Sequence, residues 1–323
     1  MISAKDSGRS GKTNVQKVVI QDDYDGQRVD NYLLRVLKGV PKSRIYRLIR
    51  KGEVRINGKR VRADTRLVSG DQLRIPPVRT GNSTVSKKYE KYLIKRIIYE
   101  NKVIYVINKP AGLAVHGGSG ISSGAIESLR ACLPEEKLEL MHRLDRDTSG
   151  CLMIARNRRY LRIMQQAFRT RSDRGKYYRV IVHGCWPGKI TRVDAPIVKN
   201  TLQNGERVSR VSSMGKPSIT DFRILARSGN FSLLEAEAIT GRTHQIRVHC
   251  RYTGHPVVGD KRYGDLEADA RALQYLKNHR LMLHASRLEI PDLEDFPGFT
   301  VNAPVDPRFE SLEKNIFNNN MEL

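Results

Sequence analysis

Beyond residue 100 the apolar residues arrive in short runs separated by turn formers, and this pattern restricts the fold more than anything else in the chain. KVIYVINKP, ending at Pro110, CLMIAR, YYRVIVHG, ITDFRILA, FSLLEAEAI and LMLHASRLEI each have the length and composition of a strand. RRYLRIMQQAFRT and the stretch around residues 243–252 read as helices. Strands outnumber helices and no regular βαβ rhythm links them, so the expected class is α+β with a mixed, mainly antiparallel sheet. A doubly wound parallel sheet does not fit, and no internal repeat is visible.

The first hundred residues follow another plan. Residues 1–17 are polar, rich in Ser, Gly and Lys, and read as a flexible tail. From Arg28, VDNYLLRVL predicts a first helix, which Gly39-Val40-Pro41 interrupts. A second, SRIYRLIRKG, is expected to take Ser43 as its N-cap and to stop at Gly52. Short strands EVRIN, KRV and DQLRIP follow, with Asn57-Gly58 as a hairpin turn. In the second helix Arg44, Arg47 and Arg50 or Lys51 recur on one face, while Ile45, Leu48 and Ile49 supply the buried face. The domain boundaries expected are 18–79 for this small domain, 80–95 for a Lys-containing linker, 96–310 for the larger domain and 311–323 for a C-terminal tail.

Charge says what such a helix could meet. The chain carries 58 Lys and Arg against 34 Asp and Glu, a net +24, and residues 1–100 alone hold 24 basic and 10 acidic side chains. A polyanion is the natural partner, with the N-terminal third as the main footprint on phosphates, although a basic stretch can also be a solvated face. Cys132, Cys151, Cys185 and Cys250 are scattered without CxxC or CxxxH spacing, so no metal is expected and free thiols in a reducing cytosol are the simplest reading. No run approaches a membrane span, and the N-terminus lacks a signal-peptide core. The expectation is a soluble, cytoplasmic protein.

Three polar segments lie at the ends of predicted strands, where a rigid scaffold displays functional groups. The first is Met141-His-Arg143-Leu-Asp145-Arg-Asp147-Thr-Ser149-Gly150, which could equally be a turn with surface charge. The second is Gly241-Arg242-Thr243-His244-Gln245-Ile246-Arg247-Val248-His249. Here Thr243 could cap a helix, and His244 would share a face with Arg247 or Val248. Its histidines are five apart, so a metal site is not expected and structural histidines are the default. The third is Lys176-Tyr177-Tyr178-Arg179, whose tyrosines on pattern alone suit sheet packing.

Taken together, in order and after Asn108-Lys109-Pro110-Ala-Gly112-Leu-Ala-Val115-His116, these segments resemble the signature set of the RluA-type pseudouridine synthases over residues 95–306. Residues 26–71 resemble an S4 RNA-binding domain. With Gly39-Val-Pro-Lys-Ser43 and Gly259-Asp-Lys-Arg-Tyr263-Gly-Asp265, the whole chain is similar to a large-subunit rRNA member of that family. The resemblance implies isomerisation of uridines in 23S rRNA without a cofactor. It implies Asp145, not Asp147, as nucleophile, Arg247 as the cation that keeps that carboxylate charged, and Tyr178 stacked on the uracil. Arg143 is implied to enter the RNA and help displace the target nucleotide. Attack at the sugar or at the base is left open by the residues. So is oligomeric state, with a monomer the simplest expectation. The rival readings are a non-catalytic S4-type RNA-binding or ribosome-assembly factor and, below it, an RNA methyltransferase, for which no glycine-rich strand-to-helix turn is visible.

Overall fold

The computed structural model describes residues 14–37, 39–78, 90–117, 123–170, 175–201, 207–273, 280–292 and 297–317. Residues 1–13 of the expected N-terminal tail, 80–89 of the expected linker and 318–323 of the expected C-terminal tail lie outside them. The chain forms two compact units, Met1–Val85 and Ser86–Leu323.

The first unit packs two helices on an antiparallel sheet. Its elements are β1 (Gln16–Val19), α1 (Val29–Val36), α2 (Lys42–Arg50), β2 (Arg55–Ile56), β3 (Lys59–Arg60) and β4 (Gln72–Ile75), with sheet order β1-β4-β2-β3. β1 starts inside the stretch expected to be tail. It is held by pairing with β4 while its side chains stay largely exposed, so it leaves no apolar alternation in the sequence. The start of α2 also differs from expectation, because Pro41 and not Ser43 is the N-cap. Its fixed φ of −56° suits that position, and its carbonyl accepts the amides of Arg44 (2.9 Å) and Ile45 (3.2 Å). Ile45, Leu48 and Ile49 are buried with Val29, Leu33 and Leu73. That leaves Arg47, Arg50 and Lys51 exposed and Arg44 half-buried. Asn57 (φ 50°) and Gly58 (φ 78°) form the hairpin turn between β2 and β3, both in the left-handed region such a turn requires.

The second unit runs α3 (Glu90–Ile94), β5 (Ile97–Glu100), β6 (Ile104–Lys109), α4 (Ala125–Cys132), β7 (Glu139–Leu140), β8 (Ser149–Ala155), α5 (Arg158–Thr170) and β9 (Lys176–His183). It continues with β10 (Arg192–Asp194), β11 (Ile197–Thr201), β12 (Arg207–Val211), β13 (Ile219–Ser228), β14 (Phe231–Ala238), α6 (Gln245–Tyr252), α7 (Leu266–Leu273), β15 (Leu283–Ile290), β16 (Phe299–Asn302) and α8 (Pro307–Phe317). Among the described residues the main sheet has the order β10-β13-β14-β9-β15-β8-β6-β5, with β16 also on β15 and β7 also on β8. All its pairings are antiparallel except β8 with β15, which makes the architecture α+β with a mixed sheet. β11 and β12 form a separate two-stranded ribbon.

Two apolar clusters flank this sheet. One gathers Ile104, Val106, Leu129, Leu144, Leu152 and Ile154; the other gathers Val180, Trp186, Leu234, Ile246, Cys250 and Phe309. Tyr178 packs against both, between Ala236 of β14 and Ala285 of β15. α8 contradicts the expected tail from residue 311. Phe309, Leu312 and Ile316 recur at helical spacing and are buried in the second cluster, each contributing about 1.5–3 kcal/mol by leaving water. Arg179 of β9 holds Glu313 of the same helix, with Nε donating to Oε2 at 2.7 Å.

Candidate active site

The segment from Met141 to Gly150 leads into β8, and its last residue explains how tightly it is held. Gly150 has φ 106°, and a Cβ there would stand 2.1 Å from the carbonyl oxygen of Ala285. Only glycine lets β8 approach β15 at the parallel pairing His284↔Ser149 and Ala285↔Gly150. Upstream, the Asp145 carbonyl accepts the Thr148 amide at 3.2 Å and the Arg146 carbonyl accepts the Gly112 amide at 2.9 Å. Beneath the loop lies Lys109, which is wholly buried. Its ammonium donates to the carbonyls of Pro110 (2.9 Å), Leu113 (2.8 Å) and Arg146 (3.0 Å). Burial pushes this amine down to about 7.

The two aspartates of the loop therefore face different surroundings. Asp147 is half-exposed and pairs with the exposed Arg146 at 3.4 Å. Asp145 lines an open cleft together with Arg143, Tyr178, Arg242, His244 and Arg247. Arg143 is exposed at this cleft, and Tyr178 is half-buried on β9. Asp145, Tyr178, Arg247 and Arg143 are thus brought together. Arg44, Arg47, Arg50 and Lys51 lie in the other compact unit.

Arg247 meets Asp145 in a way the sequence did not suggest. Its Nη1 donates a single bond of 3.2 Å to Asp145 Oδ2. Nε and Nη2 instead grip Oδ2 and Oδ1 of Asp260 at 2.7 Å each, so the two-point fork belongs to Asp260. The side chains of Arg247 and Asp260 are 9% and 0% exposed. Asp260 also accepts the backbone amides of Arg262 (2.9 Å) and Tyr263 (3.1 Å). Burial alone would raise its carboxyl, but the bonds from Arg247 and from these amides outweigh it and hold the group below the ordinary aspartate range. Burial likewise opposes the charge on Arg247, and the carboxylates of Asp260 and Asp145 raise it above its ordinary value. The site is a chain of alternating charges, Asp260, Arg247, Asp145, with the ring of Tyr263 5.0 Å from the guanidinium carbon.

The start of α6 corrects the expected cap. His244, not Thr243, is the N-cap, in a left-handed conformation with φ 57°, and it makes no side-chain cap bond. Gln245 satisfies the turn instead, its Oε1 accepting the Arg242 amide at 3.0 Å and the Thr240 hydroxyl at 2.6 Å. His244 and Arg247 both turn to Asp145, His244 Nε2 lying 3.7 Å from Oδ1. His249 is the structural histidine the default supposed, bonded to Thr220 Oγ1 (2.9 Å) and the Ala195 carbonyl (3.0 Å).

Asp260, Tyr263 and the role of Lys109 were missed from the sequence. One signal was available for Asp260. An arginine on the inward face of a helix needs a buried acid, and Gly259-Asp-Lys-Arg-Tyr263 offers one within reach of a turn.

The cleft thus holds one carboxylate, Asp145, against a fixed guanidinium, with Tyr178 in its lining. Residues 103–252 match the family described as RNA pseudouridylate synthase, and residues 27–73 match the S4 domain. The chain belongs to the RNA pseudouridylate synthase family and is a pseudouridine synthase, an isomerase. It is 47% identical over 305 residues to the "Ribosomal large subunit pseudouridine synthase C" of Haemophilus ducreyi, covering 93% of this chain and 95% of that protein. The protein of the same name from Escherichia coli (strain K12) is 47% identical over 300 residues, covering 91% and 94%. Among solved structures, "Human RNA Pseudouridylate Synthase Domain Containing 4" aligns with a TM-score of 0.57 at 27% identity, covering 70% of this chain and 95% of that one.

Proposed function

We propose that this chain isomerises specific uridines of 23S rRNA to pseudouridine, with Asp145 as the nucleophile. The reaction breaks the N1–C1′ bond and joins C5 to C1′. C5 loses a proton and N1 gains one, so atoms balance without a cofactor. The observation that carries the assignment is the contrast within one loop: Asp145 faces the cleft and Arg247, whereas Asp147 faces solvent and Arg146. Arg247 grips one oxygen of that carboxylate through Nη1 and holds it at the cleft. Tyr178 stacks on the uracil, and Arg143 at the exposed mouth fills the place the extracted nucleotide leaves.

The RNA substrate is supported by the S4 match, by the basic face of α2 and by the names of the relatives. A second cavity of about 330 Å³ shares Gly241, Arg242 and Thr243 with the catalytic cleft and is lined by Lys199 and Lys216, offering cations to the flanking strand. No helix among the described residues is long and apolar enough to cross a membrane. In this reading the protein works in the cytoplasm, acting as a monomer on rRNA, with the first unit binding RNA and the second supplying the chemistry. The test is to incubate the purified protein with a 23S rRNA transcript and map pseudouridines at single-nucleotide resolution, beside rRNA from cells lacking the gene. Binding without any new pseudouridine would favour the non-catalytic RNA-binding factor instead.

A further inference from the structure

Arg247 holds only Oδ2 of Asp145, and the other oxygen faces His244. His244 is an unexpected residue for its backbone. It occupies a left-handed N-cap without capping the helix, where asparagine or glycine would be easier. What the position holds is an imidazole placed between two partners. Nδ1 lies 2.7 Å from the hydroxyl of Tyr263, and Nε2 lies 3.7 Å from Asp145 Oδ1. The Tyr263 oxygen in turn accepts the backbone amide of Ser209, on β12, at 2.9 Å.

We infer that Tyr263 and His244 are positioning residues that form a directional donor chain ending on Asp145. It runs from Ser209 N–H to Tyr263, from Tyr263 O–H to His244 Nδ1, and from His244 Nε2–H towards Asp145 Oδ1. A neutral imidazole carries one N–H, so its two nitrogens must play opposite roles. Were the proton on Nδ1, the Nε2 lone pair would point at a carboxylate, acceptor against acceptor. With Tyr263 donating to Nδ1, the proton sits on Nε2 and meets the negative charge. The ring stays neutral because burial opposes its charge and the nearby Arg247 and Arg262 add to that, against the pull of Asp145 and Asp260. Asp145 is thereby held on one oxygen by a cation and on the other by a neutral donor, which fixes the plane of its carboxylate. At 3.7 Å the last link is an electrostatic contact.

This inference rests on Asp145 being the nucleophile, and two measurements separate the ideas. The first is the ¹⁵N spectrum of the His244 ring in the resting enzyme, which reports the tautomer without any turnover. Nε2–H is expected in the wild type and a mixture of tautomers in Tyr263→Phe, which keeps the ring packing on Arg247 and loses only the hydroxyl. The second is single-turnover kinetics. Tyr263→Phe should lower the single-turnover rate roughly 3- to 10-fold with half-saturation little changed, the scale of one hydrogen bond between neutral groups. His244→Gln, whose amide nitrogen reaches the Nε2 position, should retain more activity than His244→Asn, although asparagine suits the left-handed backbone better. A predominant Nδ1–H tautomer in the wild type, or His244→Asn at least as active as His244→Gln, overturns the chain. Activity persisting in Asp145→Asn overturns the nucleophile assignment instead and leaves the tautomer result standing.

Discussion

The Arg247 guanidinium binds Asp260 at two points, 2.7 Å each, and Asp145 at one, 3.2 Å. The cation that faces Asp145 is thus itself locked by a second carboxylate behind it. Replacing Asp260 with Asn should leave Arg247 buried without its anchor, destabilising the protein by about 3–5 kcal/mol and lowering kcat through loss of aim at Asp145. Arg247→Lys should restore activity only in part relative to Arg247→Met, because one ammonium cannot serve both carboxylates. Urea unfolding and single-turnover pseudouridine formation on the same preparations check both statements.

The same pair sets a limit on acid stability. The folded carboxyl of Asp260 lies below its unfolded value, so the stabilisation is fully present above the unfolded value and is lost as pH falls through the folded one. The stability difference between wild type and Asp260→Asn should therefore stay flat from neutral pH down to the ordinary aspartate range and shrink only below it. Unfolding curves taken across that range check it; a difference that shrinks near neutrality would mean another group is responsible.

Asp145→Asn should cost activity on the order of 10⁴-fold, the scale of deleting one member of a catalytic unit, while RNA binding and folding persist. Asp147→Asn should stay within a few-fold of wild type, since this side chain meets solvent and Arg146. Similar falls in activity for the two variants, by the same single-turnover assay, would void the assignment.

Lys109 predicts a slope in the opposite pH region. Its folded value of about 7 lies below the unfolded 10.5, so between these limits the unfolded chain binds more protons and folding stability rises with pH. Lys109→Met should remove that rise and, by releasing the carbonyls of Pro110, Leu113 and Arg146, loosen the loop that carries Asp145. The check is the wild-type minus variant unfolding free energy from pH 7 to 10, together with kcat.

Replacing Arg44, Arg47 and Arg50 by Ala should make the dependence of log K on log salt shallower, by roughly 0.7 for each phosphate of single-stranded RNA that the variant no longer neutralises. Turnover at saturating RNA should change little. Filter-binding titrations over salt read the slope directly, and an unchanged slope would move the electrostatic footprint off α2.

Much of this architecture was legible because strands that face apolar cores on both sides write themselves as continuous runs; Ser149–Ala155 is buried throughout and stands out in the sequence. β1, β11, β12 and α8 were not legible. β1 shows solvent most of its side chains, and α8 buries only Phe309, Leu312 and Ile316 among charged neighbours. At the site, the residues within motifs were readable and their partners were not. Asp145 and Arg247 are 102 positions apart, and which acid an arginine chooses depends on how the chain closes around it. Asp260 wins the two-point grip because it sits 13 residues from Arg247, in a turn whose own amides already orient its carboxylate.

Tyr178 touches both apolar clusters, and the two sides of the cleft divide between them. Leu144, beside Asp145, belongs to one cluster, and Ile246, beside Arg247, belongs to the other. Neither cluster alone contains a working pair of charges. Asp145 and Arg247 lie 3.2 Å apart where the two halves of the sheet join through β9, β15 and β8. The pair of charges therefore sits at the joint between the two clusters, and a substitution that displaces Leu144 or Ile246 moves one side of the cleft against the other.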